Sequence, residues 1–140
     1  MGGIRHMKAG WILLPALWLG AGAAHARDVY CDMKGGGSTD RVREWFIVNS
    51  SVRKPQLPGQ TKPFTFCSVD FSSPGGMYRP IELVTKPKLG EAKTTYNKLL
   101  YRSEKNGEDF VSIRMHEVGR TGELKSSVFQ YRIHVVDKPL

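Results

Sequence analysis

Phe129, Tyr131, Ile133 and Val135 alternate with Gln130, Arg132 and His134 near the C-terminus. A period of two predicts a half-buried β-strand, because successive side chains point to opposite faces. Val111, Ile113 and Met115 alternate in the same way with Ser112, Arg114 and His116. Gly119-Arg-Thr-Gly122 turns the chain between these two segments, and Asn106-Gly107 is a turn signal before them. The earlier segments are shorter. Val29 to Met33 is half apolar, and Glu44 to Val48 is a continuous apolar run whose two faces are both expected to be covered. Phe64 to Phe71 places Thr65, Cys67, Val69 and Phe71 on one face, the expected core face, with Phe64, Phe66 and Ser68 on the other. Met77 to Thr85 is a strand candidate broken by Pro80, which suggests an edge or a strand start. Ser72-Ser-Pro-Gly-Gly76 and Lys86-Pro-Lys-Leu-Gly90 read as turns, and Val52 to Pro63, with three prolines, as a connection. Glu91 to Arg102 fits either a helical stripe of Ala92, Tyr96, Leu99 and Leu100 or two strands around Tyr96-Asn97-Lys98. Together these predict an all-β sandwich of about seven to eight strands.

The first 26 residues have a different pattern. A basic start (Arg5, His6, Lys8) precedes nine apolar residues from Trp11 to Leu19, then small residues ending Ala24-His25-Ala26. This is the order of a secretory signal peptide, and it predicts cleavage between Ala26 and Arg27. The apolar part is too short for a span, which needs about 20 residues. The mature form is therefore expected to have no transmembrane span and to be periplasmic or secreted. Residues 27–140 then make one domain, a length that suits one core. Cys31 and Cys67 both lie in that part. An even count in an oxidising compartment predicts one disulfide, and two lone cysteines without CxxC or nearby His spacing make a poor zinc site.

Residues 81–136 resemble bacterial Ig-like (cadherin-like) repeat domains of exported proteins. The resemblance rests on Pro87-Lys-Leu-Gly90, Tyr101, Gly107-Glu-Asp109, the alternation Val111/Ile113/Met115, Glu117 with Gly119 and Gly122, and the alternation Phe129 to Val135. It implies an Ig-like sandwich and resolves Glu91–Arg102 as a hairpin. The motifs are turn and core positions, so they bear on fold and hardly on function. No internal repeat is present, and without a DxD or DxN cluster calcium is not carried over. Cys31 and Trp45 are spaced as in an antibody-type core pair, but Cys67 follows too soon and position 65 is Thr.

Candidate chemistry is sparse. Outside the leader the histidines are His116 and His134, both on the polar phase of their strands and both expected to be exposed. No GxSxG occurs, and an oxidised Cys67 is no nucleophile. His116 and Glu117 point to opposite faces of a strand, so no metal site is expected, and no cofactor. Gly35-Gly-Gly37 lacks the GK[ST] of a phosphate loop. Glu104, Glu108, Asp109 and Glu117 read as solvated turn charges rather than a glycosidase pair.

Charge is the remaining signal. The chain has 21 Lys+Arg and 13 Asp+Glu, a formal +8, and +6 without the leader. Arg41, Arg43, Arg53, Lys54 and Lys62 form a candidate basic surface, followed by Lys86, Lys88, Lys93, Lys98 and Arg102. Such a chain is drawn to polyanions. In an envelope these are anionic polymers or acidic proteins, and nucleic acid is not expected. The expected function is a non-enzymatic, exported binding module that contacts an envelope protein or anionic envelope polymer through a basic surface and the loops near 34–40, 53–62, 72–76 and 117–123. The alternatives are an inhibitor or accessory protein of an envelope enzyme and, less well supported, a small hydrolase.

Overall fold

The computed structural model describes residues 28–34 and 42–140. The expected leader with its expected Ala26–Arg27 cleavage point, the Gly35-Gly-Gly37 segment and Arg41 lie outside the described residues. Among the described residues eight strands are formed: β1 (Cys31–Lys34), β2 (Val42–Val48), β3 (Cys67–Asp70), β4 (Glu82–Thr85), β5 (Glu91–Thr94), β6 (Lys98–Arg102), β7 (Gly107–Val118) and β8 (Leu124–Val136). They make a five-stranded sheet, β1-β2-β8-β7-β4, and a three-stranded sheet, β3-β6-β5. The pair β2–β8 is parallel, and the other strand pairs are antiparallel. The chain folds as an all-β sandwich.

The long hairpin follows the alternation. Val111 stands opposite Tyr131 and Ile113 opposite Phe129, and Val111, Ile113, Met115, Tyr131, Ile133 and Val135 are buried. Glu91–Arg102 is a β-hairpin, as the resemblance implied: Ala92 pairs with Tyr101 and Thr94 with Leu99. Pro80 stands just before β4, which is an edge strand. Phe64 to Phe66 are not part of β3, so that strand is shorter than its pattern, although Cys67 and Phe71 do face the core.

Trp45 of β2 lies 6.3 Å from the Tyr101 ring of the small sheet and 6.1 Å from Tyr131 of the large one. It therefore fills the space between the layers. Fully burying an apolar side chain such as Ile47, Leu99 or Ile113 stabilises by about 1.5–3 kcal/mol. Cys31 and Cys67 are disulfide-bonded and tie edge strand β1 to edge strand β3.

The reading of Asp109 as a solvated turn charge is corrected. Its side chain is buried and accepts N–H bonds from Lys88 (2.9 Å), Leu89 (3.0 Å) and Gly90 (3.0 Å), and the Tyr101 hydroxyl at 2.8 Å. Three backbone donors of the turn before β5 would otherwise lack partners. Burial pushes the Asp109 carboxyl up, but these bonds outweigh it and hold it below the usual range. Gly90 is required there because a Cβ would run into the Arg102 carbonyl and the Tyr101 hydroxyl. The motif residues Pro87–Gly90, Tyr101 and Asp109 are thus one hydrogen-bonded unit.

Candidate functional site

At the side of the sandwich where β1 and β3 are edges, the chain must run from β2 to β3 through residues 49–66 without a sheet partner. Backbone groups in such a connection need other partners. Arg53 supplies them. Its Nε and Nη2 donate to the Val48 carbonyl (2.9 and 2.7 Å), Nη1 donates to the carbonyls of Phe64 (3.0 Å) and Thr65 (2.6 Å), and Nη2 also donates to Cys67 Sγ (3.4 Å). All five guanidinium N–H groups can be placed in these contacts. The Lys54 amide donates to the Tyr30 hydroxyl at 2.7 Å, and Gln60 Oε1 accepts from the amides of Gln56 and Leu57. The connection is thereby strapped to the sandwich.

Between this strap and the two edges lies a groove of about 520 Å³. Tyr30, Cys31, Lys54, Phe64, Phe66 and Cys67 line it. Phe64 is 62% exposed, an unusual position for a large aromatic ring. Phe66 lies outside the core with Lys93 Nζ 5.1 Å and Arg102 Cζ 5.2 Å from its ring centroid. A second cavity of about 390 Å³ is bordered by Lys86, Lys88, Glu108 and Phe110, but its Asp109 is committed to the turn described above.

The expected basic surface does not form as one patch. Arg53 is 6% exposed, and burial lowers its affinity for the proton. It holds backbone and offers no free donor to a ligand. Arg43 falls on the inner phase of β2, opposite Tyr131, with its guanidinium 5.5 Å from the Phe129 ring centroid. Burial pushes the neighbouring Tyr131 hydroxyl up to about 12. Lys54 and Lys62 remain exposed. Lys93 and Arg102 both contact Glu91, and Lys98 lies 3.9 Å from Asp70. Arg43 and Arg53 turn inward for a physical reason. Their long donors are as useful to orphaned carbonyls and aromatic faces as to a ligand.

The two histidines also depart from expectation. His116 is buried, although it lies on the polar phase of β7. Tyr78 lies over it, with ring centroids 5.6 Å apart. His116 Nδ1 is 2.8 Å from Ser126 Oγ, and Nε2 is 3.3 Å from Glu82 Oε2. His134 is half-buried, stacked on Phe46 at 4.6 Å and 3.7 Å from Glu44. Serine, histidine and carboxylate are the parts of a hydrolytic triad. Here Ser126 and His116 are direct cross-strand partners, and none of the cavities described above is lined by Ser126, His116 or Glu82. A cross-strand polar pair accounts for the arrangement.

Among the described residues no group of three or more His, Cys, Asp and Glu side chains is placed to hold a metal ion, and no helix is long and apolar enough to cross a membrane. Comparison with known proteins finds no matching family model, no matching curated protein and no matching solved structure.

Sequence reasoning placed Phe64 and Phe66 off the core face but did not unite them with Tyr30 and Cys31. The available signal was an arginine beside a proline-rich connection, where carbonyls lack ladder partners.

Proposed function

We propose that this chain is an exported, non-enzymatic Ig-like binding module of the bacterial envelope, periplasmic or secreted, which takes up an extended segment of an envelope protein along the β1/β3 groove. The order β2-β8-β7-β4 facing β3-β6-β5 supports the Ig-like reading. The disulfide supports an oxidising compartment. One observation carries the binding site: an apolar groove with Phe64 62% exposed, flanked by two strands that each have a single sheet neighbour. Edge strands supply main-chain hydrogen bonds to an added strand, and pockets beside them take alternate side chains.

A protein partner is favoured over an anionic polymer because the basic patch is dispersed. Of Arg43, Arg53, Lys54 and Lys62, only the two lysines are exposed. The test is a photo-crosslinking residue at position 64, with capture from envelope extracts by wild type, Phe64→Asp, and Lys54→Glu with Lys62→Glu. A polypeptide crosslink at position 64, together with capture lost in Phe64→Asp at unchanged melting temperature, is expected. Capture indifferent to Phe64→Asp but abolished by salt and by the lysine reversals overturns the reading in favour of a polyanion.

A further inference from the structure

The two cysteines of the disulfide differ in exposure and in their polar neighbours. Cys31 is exposed, and Cys67 is 1% exposed. Both border the groove. The Arg53 Nη2 atom lies 3.4 Å from Cys67 Sγ. The Tyr30 carbonyl oxygen is the other polar contact of that sulfur, at 3.6 Å. We infer that Cys31–Cys67 is a thiol–disulfide exchange site: a partner thiolate entering the groove attacks Cys31 Sγ, and Cys67 leaves as a thiolate held by Arg53.

The chemistry follows from which sulfur can be reached and which leaves best. Exchange proceeds by thiolate attack on one sulfur, and it is faster when the departing sulfur is the weaker base. Cys67 is buried, so Cys31, the exposed residue that borders the groove, is the point of entry in this scheme. A neighbouring guanidinium lowers the basicity of a thiolate. Burial and the Tyr30 carbonyl dipole oppose the thiolate, and the Arg53 charge against Cys67 Sγ is what offsets them.

The first step forms a bond between the partner sulfur and Cys31 Sγ and breaks the Cys31–Cys67 bond, whose electron pair goes to Cys67. In the second step another thiolate of the same partner attacks its own sulfur in the mixed disulfide, and Cys31 leaves. The partner dithiol is oxidised by two electrons and the protein disulfide is reduced by two. The two thiol protons of the partner end on Cys31 and Cys67. The substrate class is a protein dithiol, and Phe64 and Phe66 would supply contact surface beside the reacting sulfur.

The inference rests on the groove reading for the identity of the partner, but the exchange can be tested without one. The native, disulfide-bonded protein is treated with glutathione, free thiols are trapped by alkylation, and adducts are mapped by mass spectrometry. Cys31 is expected to carry about ten-fold more glutathione than Cys67, whose thiol is alkylated instead. Cleavage by dithiothreitol should be first order in reagent and indifferent to urea below the unfolding transition. Adduct on Cys67, or a cleavage rate that saturates at the rate of global unfolding, overturns the inference. A site that exchanges with small thiols while Phe64→Asp still captures partner refutes the groove reading alone. Loss of capture in Phe64→Asp without any exchange refutes the redox site alone.

Discussion

On one side of the sandwich the buried Asp109 carboxylate accepts the N–H groups of Lys88, Leu89 and Gly90. On the other the buried Arg53 guanidinium donates to the carbonyls of Val48, Phe64 and Thr65. Each supplies a charge where irregular backbone would otherwise be unpaired, and in each the hydrogen bonds offset the cost of taking a charge out of water. The difference lies in what each joins. Asp109, on β7, gathers three consecutive donors of the turn before β5 and the Tyr101 hydroxyl of β6, so it fixes that turn against the two sheets. Arg53 joins the end of β2, the entry to β3 and the disulfide sulfur, so it decides how three segments meet. The groove exists because of the second arrangement and not the first.

The largest expected effects break the two anchors. Arg53→Met strands three carbonyls and should destabilise by about 3–5 kcal/mol, close to the whole stability of a small domain. Asp109→Ala removes the acceptor of the Lys88, Leu89, Gly90 and Phe110 N–H groups and of the Tyr101 hydroxyl and should cost a similar amount. Denaturant unfolding measures both. A loss below about 1 kcal/mol in either would mean that water replaces that anchor, and the parallel would fail. Arg53→Met should also erase crosslinking at position 64, whereas Asp109→Ala, when folded at low temperature, should keep it.

Removing the disulfide by Cys31→Ala should cost about 2–5 kcal/mol. A free-thiol assay on denatured, non-reduced wild type should find no reactive thiol, and two would contradict the bond.

Acid separates the anchors further. The Asp109 carboxyl is depressed, so its contribution is complete above its unfolded value near 3.9 and is lost as pH falls through its lower folded value. Arg53 stays charged throughout that range. Stability of the wild type should therefore decline below about pH 4, and Asp109→Asn should remove that component of the decline. Equal acid sensitivity in wild type and Asp109→Asn would assign the decline to other carboxylates.

The smallest effect belongs to the exposed lysines. Lys54→Glu and Lys62→Glu should each change stability by less than about 0.5 kcal/mol by thermal unfolding. A larger loss would place these side chains in the strap rather than on the surface.

Period-two alternation determined β7 and β8, and Gly, Pro and Asn marked where strands turn. Pairing of Cys31 with Cys67 was legible from an even cysteine count in a chain whose start reads as a signal peptide. These are properties of neighbouring residues, since side-chain direction in a strand is set by local backbone geometry. The same alternation put His116 on the polar face, and that was right, yet Tyr78 folds over that face and His116 is buried. Asp109 reads in sequence as a solvated turn charge, and only the fold brings the Lys88, Leu89 and Gly90 amides onto its carboxylate. The partners of Arg53 are main-chain carbonyls, which any residue possesses, so an arginine beside a proline-rich connection signals a need for donors without naming which carbonyls take them. Which side chains are covered, and whether Phe64 and Phe66 face a groove or open water, depends on segments distant in sequence that only folding brings together, so tertiary structure alone decided the site.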